Sequence, residues 1–154
     1  MVNRLPPRQA GDMNIAAAEH FRAKLQFETD ASDVASALES NEPGFVLVDS
    51  RGQAAWDQGH IPEAVHLPTA RIAREASAVI PAGTSVVTYC WGPGCNGATR
   101  AALEFATLGY EVREMIGGFE YWVREGLDIA VDGKLDRRLS DPLTAPSGTP
   151  VCDC

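Results

Sequence analysis

The sequence predicts an α/β protein with a parallel sheet and helices on both faces of that sheet. Three short apolar segments, residues 45–49, 86–89 and 112–116, have the β-branched composition of buried strands. Between the second and the third lies a segment with helical spacing, residues 96–108. A strand–helix–strand order makes the two strands parallel, so that ligands are expected at the carboxyl ends of the strands.

Two surface helices are predicted before the first strand, over residues 14–25 and 30–38, because apolar side chains recur there at helical spacing. Asp30 suits the start of the second helix, since its carboxylate can accept a hydrogen bond from the first turn. The first helix belongs to a predicted N-terminal helical extension, residues 1–29. The main domain is predicted over residues 30–130.

Glycine and proline mark the ends of the elements that follow. The first predicted strand lies between Pro43-Gly44 and Gly52, and it ends in the carboxylate of Asp49. Gly109 stands where the helix after the second strand needs a residue in the left-handed conformation. The chain then turns polar and loses any period, so residues 131–154 are predicted to be a flexible tail ending in Cys-Asp-Cys.

Length and composition favour one globular domain and exclude several classes of function. The chain has 154 residues, of which 45% are hydrophobic and 22% charged. Its net charge of -8 argues against nucleic acid or an anionic membrane as a partner, because both require clustered Lys and Arg. No segment has the apolar core of a signal peptide or the length of a membrane span. We therefore expect a cytoplasmic location and reduced cysteines, with the oligomeric state left open.

A glycine-rich loop between the second strand and the following helix predicts a reactive thiol. Cys90 stands where the strand ends. Glycines in the loop let backbone N–H groups turn inward, and the helix N-terminus adds its positive dipole end, so that an anion is favoured there. We therefore expect Cys90 to be largely thiolate near neutral pH. The predicted anion cradle consists of Trp91, Gly92, Pro93, Gly94, Cys95, Asn96 and Gly97.

Four motifs in this order resemble the rhodanese sulfurtransferase domain, over roughly residues 31–129. They are the strand end Asp49-Ser50-Arg51 with the turn Gly59-His60-Ile61-Pro62, the pair Tyr89-Cys90, residues 108–116, and residues 117–122. The resemblance implies a rhodanese-like fold with a small parallel sheet of about five strands. It also implies transfer of sulfane sulfur as a cysteine persulfide, from a thiosulfate- or polysulfide-type donor to a thiol acceptor. The net charge of -8 disfavours small anionic donors and favours a protein persulfide or a polysulfide as donor. Neither a cofactor nor a metal is implied.

The loop departs from the family pattern because its interior carries no basic residue. Arg100 lies further on, in the helix, at the family's cysteine-to-arginine interval only if the count begins at Cys95. Cys90 is preferred as nucleophile and persulfide carrier, because the strand ends there. Cys95 stays open as an alternative nucleophile or as a resolving partner that forms a disulfide with Cys90 and releases hydrosulfide.

Further residues are expected to support the site. Asp49 and Arg51, a charged pair at a strand end, are expected to order the neighbouring loop rather than to react. Arg100 is a third supporting residue. Cys152 and Cys154 are candidates for an acceptor arm that returns to the loop, because a tail of this length has a reach of roughly 25 Å.

Three other functions remain as alternatives. A thiol-based oxyanion reductase of the same fold would also use a thiolate and a resolving cysteine. A phosphatase of the same fold needs strong positive charge around the phosphoryl oxygens, which this loop does not supply. A soft-metal or sulfur-relay binding module would use the four cysteines as thiolate ligands.

Overall fold

A five-stranded parallel sheet forms the centre of the protein, for which a computed structural model describes residues 14–145. Six helices and seven strands lie within that range. In chain order they are α1 (Ile15–Phe27), β1 (Glu28–Thr29), α2 (Ala31–Glu39), β2 (Phe45–Asp49), α3 (Gln53–Gln58), β3 (Val65–His66), α4 (Thr69–Val79), β4 (Ser85–Tyr89), α5 (Gly97–Thr107), β5 (Val112–Met115), α6 (Gly118–Arg124), β6 (Ile129–Val131) and β7 (Lys134–Asp136). The predicted α/β class and the sheet of about five strands are confirmed.

The strand order β1-β5-β4-β2-β3 brings the predicted strand ends to one edge of the sheet. In the parallel pairing of β2 with β4, Asp49 lies opposite Tyr89, the residue before Cys90. The carboxylate and the thiol that the sequence places after two different strands therefore belong to the same carboxyl edge. Ligand sites of parallel sheets are expected at this edge.

Helices cover both faces of the sheet and make two hydrophobic cores. One core joins Leu47 and Val87 of the sheet to Val34 of α2 and Trp122 of α6. The other core joins the opposite side of the same strands to α4 and α5, with Phe105 at its centre. Because the central strands are buried on both faces, their sequences are nearly continuous apolar runs.

The N-terminal extension is less separate from the domain than the sequence predicts. Helix α1 is capped by the side chain of Asn14, which accepts from the Ala17 N–H at 3.1 Å. After it, Glu28 and Thr29 form β1 and pair with β5, so residues 28–29 of the predicted extension belong to the central sheet. A strand of two residues is too short to show an alternating pattern. The predicted cap at Asp30 is confirmed, since its carboxylate accepts from the α2 backbone at 2.9 Å.

The prediction of a tail without regular structure from residue 131 is wrong over its first part. Strands β6 and β7 form an antiparallel hairpin whose turn is Asp132-Gly133, both with positive φ. Asp-Gly is a strong hairpin signal that the polar composition obscures. The chain then returns to α6, where Arg124 and Asp141 form an ion pair at 2.7 Å. The end of the predicted tail, 146–154, lies outside the described residues.

None of the helices within residues 14–145 has both the length and the apolar character that crossing a membrane requires.

Candidate functional site

The loop that carries Cys90 is held by the beginning of α6. The N–H of Phe119 donates to the carbonyl oxygen of Cys90 at 2.9 Å, and the N–H of Glu120 donates to that of Trp91 at 2.7 Å. Within the loop, the Cys95 N–H donates to the Gly92 carbonyl at 3.0 Å and closes a turn. These three hydrogen bonds fix the backbone of the loop, and two of them join it to α6.

The close approach of α6 to this loop depends on Gly118. Its φ is +60°, and a Cβ on it would lie 2.6 Å from the carbonyl oxygen of Cys90 and 2.8 Å from the amide nitrogen of Gly92. Both neighbours are backbone atoms, which cannot move aside without moving the loop. In the sequence, Gly117-Gly118 belongs to the motif at residues 117–122, from which this support of the reactive loop was not predicted.

The two loop thiols lie in direct contact, with 2.8 Å between Cys90 Sγ and Cys95 Sγ. Both cysteines are free in the structure, and Cys90 is only 7% exposed, whereas Cys95 is half-buried. A side chain at Gly97 would overlap Cys90 Sγ and lie 3.3 Å from Cys95 Sγ. Glycine as the first residue of α5 therefore leaves the space in which the two sulfur atoms are in contact.

When this pair loses its first proton, the negative charge lies on Cys95. Burial, together with the hydrogen bond to Cys95, raises the pKa of Cys90 to about 11. The pKa of Cys95 is lowered, first by the hydrogen bond from Cys90 and then by the N–H groups of Gly97 and Trp91. For the reduced pair, this order of ionisation is opposite to the prediction that Cys90 is largely thiolate near neutral pH. The amides and the greater exposure favour the charge on Cys95 instead.

The backbone amides of the predicted cradle act unequally on the two sulfur atoms. The Gly97 N–H donates to Cys95 Sγ at 3.4 Å, and the Trp91 N–H contributes to lowering the pKa of both thiols. The Trp91 side chain is 42% exposed and borders a groove, as expected for a residue at a pocket mouth. Gly92, Pro93, Gly94 and Asn96 line a cavity at the thiols.

Two cavities meet at Cys95. The smaller, of about 320 Å³, is lined by both thiols and by the glycine pair at the beginning of α6. The larger, of about 880 Å³, lies between the loop, α6 and the segment after β7, and it includes Cys95 but not Cys90. Cys95 is therefore accessible from two sides. Among the described residues that line the smaller cavity, Glu114 is the one charged side chain.

A buried ion pair lies beneath the loop. The guanidinium of Arg51 donates to both carboxylate oxygens of Asp49, with a shortest distance of 2.7 Å, and also to the Gly59 carbonyl. Its central carbon lies 4.5 Å from the ring centre of Trp91 and 4.3 Å from that of Phe119. Although burial would lower the pKa of Arg51, the hydrogen bond and charge of Asp49 raise it. The group is therefore a permanent cation.

The two supporting arginines act on different sulfur atoms. The charge of Arg51 contributes to lowering the pKa of Cys90, and the charge of Arg100, on an exposed turn of α5, contributes to lowering that of Cys95. Neither arginine belongs to the loop itself, since Arg51 follows β2 and Arg100 lies in α5. Phe119, which packs on Arg51, was not identified as a site residue, and only its position after the glycine pair could have indicated it.

The remaining predicted site residues lie outside the part of the chain that the structure describes. Cys152 and Cys154, the candidates for an acceptor arm, lie outside residues 14–145. Within that range no group of three or more His, Cys, Asp or Glu side chains is arranged to hold a metal ion.

The fold and this loop together define an α/β domain with a thiol at the end of a central strand. A family model described as rhodanese-like domain matches residues 30–125, and the chain belongs to this family. A sequence relative, thiosulfate sulfurtransferase GlpE of Pseudomonas syringae, is 36% identical over 101 residues, which are 63% of this chain and 88% of that protein.

Other relatives differ in length from this chain. The HTH-type transcriptional regulator Rv0324 of Mycobacterium tuberculosis is 31% identical over 130 residues, which are 84% of this chain and 55% of the regulator; this chain thus spans about half of the regulator's length. Among solved structures, the BH2092 protein of Bacillus halodurans has a TM-score of 0.72 at 38% identity, over 77% of this chain and 86% of that one. Thiosulfate sulfurtransferase of Pseudomonas aeruginosa has a TM-score of 0.62 at 28% identity, over 69% of this chain and 20% of that one.

The order in which the thiols ionise predicts the pH dependence of their alkylation. The C152S/C154S variant, called the background variant, leaves the two loop thiols as the cysteines that can react. In it, the alkylation of Cys95 by iodoacetamide should reach half of its maximal rate at a pH below about 8.5, the ordinary pKa of a thiol. Cys90 should react only as the pH approaches about 11. Peptide mapping after brief alkylation at a series of pH values measures both midpoints.

Replacing one loop thiol at a time in the background variant tests whether each thiol shifts the pKa of the other. Cys90→Ala should move the midpoint of Cys95 upward, because the hydrogen bond from Cys90 makes the largest contribution to lowering it. Cys95→Ala should move that of Cys90 below 11, because a neighbouring negative charge is removed. Alkylation of Cys90 before Cys95 at neutral pH would contradict this assignment.

Proposed function

We propose that the protein is a sulfurtransferase that carries sulfane sulfur as a persulfide on Cys90. One observation carries the proposal: Cys90 Sγ lies at the carboxyl end of β4, borders a cavity of about 320 Å³, and has a second thiol 2.8 Å away. The cavity offers room for an additional sulfur atom. The family to which the chain belongs, and the sulfurtransferases among its relatives, support the same activity.

The neighbouring thiol supplies the base that a buried nucleophile needs. Because the pKa of Cys90 is raised and that of Cys95 is lowered, the pair loses its first proton from Cys95, and Cys90 then donates to the Cys95 thiolate. As Cys90 Sγ attacks the sulfane sulfur of a donor, its proton passes to Cys95 Sγ across 2.8 Å. A bond forms between Cys90 Sγ and the sulfane sulfur, and the bond from that sulfur to the rest of the donor breaks. The donor leaves as a thiolate, or as sulfite when it is thiosulfate, and Cys90 holds the persulfide.

The charges around the cavity favour a donor with little negative charge. No Lys or Arg is among the described residues that line the smaller cavity, and Glu114 adds a negative charge at its rim. The chain as a whole carries a net charge of -8. We therefore propose that a polysulfide in its monoanionic form, or the persulfide of a small thiol or protein, is the preferred donor over the thiosulfate dianion, and that a cytoplasmic thiol is the acceptor.

Variants with a single loop thiol test this function directly. In the background variant with the further change Cys95→Ser, incubation with polysulfide should add one sulfur atom, detected by intact mass and mapped to the Cys90 peptide. The matched variant with Cys90→Ser, which keeps Cys95, should gain none. Thiosulfate at the same concentration should load the first variant more slowly than polysulfide does. Sulfur on Cys95 alone would move the carrier to that residue, and no sulfur in either variant would refute the function.

The same thiol pair favours one second candidate, a thiol-based oxyanion reductase, because such an enzyme also needs two thiols that can form a disulfide. The cavity without a cationic side chain argues against it, since an oxyanion substrate requires positive charge. Reduction of arsenate in the presence of a dithiol, lost in Cys90→Ser and Cys95→Ser alike, would favour the reductase. A phosphatase is disfavoured on the same charge argument, and metal analysis of the purified protein tests the metal-binding alternative.

A further inference from the structure

We propose that Cys95 is a resolving thiol: it attacks the persulfide on Cys90, forms a Cys90–Cys95 disulfide and expels hydrosulfide. The inference rests on the proposed function, since it requires a persulfide on Cys90. It assigns a second activity to the site, the release of hydrosulfide that depends on a dithiol reductant. The bound sulfur then leaves Cys90 in one of two ways, by transfer to an external thiol acceptor or as hydrosulfide.

The geometry of the loop brings the two sulfur atoms to the distance that this step needs. Their separation of 2.8 Å leaves less than about 1 Å to the length of a disulfide bond, which is about 2.05 Å. The turn closed by the Cys95 N–H and the Gly92 carbonyl fixes the approach of Cys95. A side chain at Gly97 would overlap Cys90 Sγ, so this glycine leaves the beginning of α5 open for the two sulfur atoms. The backbone of the loop therefore sets the positions of both sulfur atoms.

The step balances in atoms, electrons and protons. After loading, Cys95 holds the proton that it took from Cys90, and Cys90 carries a terminal sulfur with a negative charge. Cys95 Sγ bonds to Cys90 Sγ, the bond between Cys90 Sγ and the terminal sulfur breaks, and the proton of Cys95 leaves with that sulfur as hydrosulfide. The sulfane sulfur is reduced by two electrons, and the two cysteine sulfur atoms are oxidised to the disulfide.

A dithiol reductant returns the site to its reduced form. Attack on the disulfide requires access to a sulfur atom, and Cys95 is the accessible one, because it borders the groove of about 880 Å³ as well as the smaller cavity. Cys90, which is 7% exposed, leaves first as a thiolate, and Cys95 forms a mixed disulfide with the reductant. The second thiol of the reductant then attacks this mixed disulfide and releases Cys95. Two thiols of the reductant become its disulfide, and the cycle consumes one dithiol for each hydrosulfide released.

A single-turnover experiment with the background variant tests the inference. The reduced protein is loaded with polysulfide, passed rapidly through a desalting column to remove the donor, and followed without any thiol. We expect the persulfide to decay while hydrosulfide and a species lacking two hydrogens relative to the reduced protein appear with the same rate constant. Peptide mapping should locate a Cys90–Cys95 disulfide. Added dithiothreitol should then restore both free thiols.

The matched variant with Cys95→Ser separates this inference from the proposed function. It should load one sulfur and retain it, with a release of hydrosulfide at least about tenfold slower than in the background variant. Equal release from both, with no disulfide, would overturn the resolving role and leave the sulfurtransferase function intact. If neither the background variant nor the Cys95→Ser variant took up sulfur, and no hydrosulfide appeared, the function on which the inference rests would be refuted instead.

Discussion

Replacing Cys90 by serine should reduce sulfur transfer from polysulfide to a thiol acceptor by about 10³-fold or more, which is the scale expected when a covalent nucleophile is removed. A serine hydroxyl is not ionised near neutral pH and cannot hold sulfane sulfur as a persulfide. The loop should keep its shape, since it is held through the Cys90 carbonyl oxygen and the N–H of Phe119 rather than through the sulfur atom. Steady-state turnover measured with the background variant and its Cys90→Ser derivative gives the ratio.

The Cys95→Ser derivative is the matched control for that measurement. It changes sulfur to oxygen in the same loop, and its hydroxyl can still donate a hydrogen bond. We expect it to keep transfer to an external thiol, at a rate reduced by the loss of the base that accepts the Cys90 proton, and its rate should rise with pH more steeply than that of the background variant. If Cys95→Ser lost as much transfer as Cys90→Ser, the roles assigned to the two thiols would be wrong.

The ends of the central strands could be predicted from sequence, and with them the edge at which the site forms. The apolar runs before Asp49 and Cys90 mark strands that are buried on both faces, and such runs have few alternative structures. Helix α5 begins and ends within one residue of the predicted range of 96–108. Because parallel strands share one carboxyl edge, placing these strands also placed the carboxylate and the thiol at the same end of the sheet.

The ionisation of the loop thiols could not be predicted in this way. The same glycine-rich sequence is compatible with amides that converge on either sulfur, and the outcome depends on which thiol is buried and which accepts the hydrogen bond. Burial and hydrogen bonding of the two thiols depend on the tertiary structure, because α6 packs on the loop and buries Cys90, whereas Cys95 remains half-exposed. The hairpin of β6 and β7 differs in part, because its Asp132-Gly133 turn is a sequence signal. Its position in the fold, however, depends on a bridge between His60 and Ala130, which are distant in sequence.

Replacing Asp49 by alanine should lower the free energy of unfolding by about 3–5 kcal/mol, because it leaves the buried cation of Arg51 without its partner. Asp49 is fully buried and accepts hydrogen bonds from the Arg51 guanidinium, from the Arg51 N–H and from the Tyr89 hydroxyl at 2.6 Å. For a domain of this size the loss corresponds to a decrease of roughly 10 °C in Tm, measurable by calorimetry or circular dichroism. Glu75→Ala, which breaks an exposed ion pair with Arg71, should leave Tm nearly unchanged.

The double variant D49A/R51L shows whether the unpaired charge is the cause. Removing the charge together with its partner should recover part of the stability lost in Asp49→Ala, because the buried cation is then gone. A double variant less stable than Asp49→Ala would show instead that the contacts of Arg51 with Trp91 and Phe119 matter more than its charge. Since that charge also helps to lower the pKa of Cys90, the alkylation midpoint of Cys90 should rise in the double variant. The ion pair would then both stabilise the sheet edge and assist the thiol that carries the sulfur.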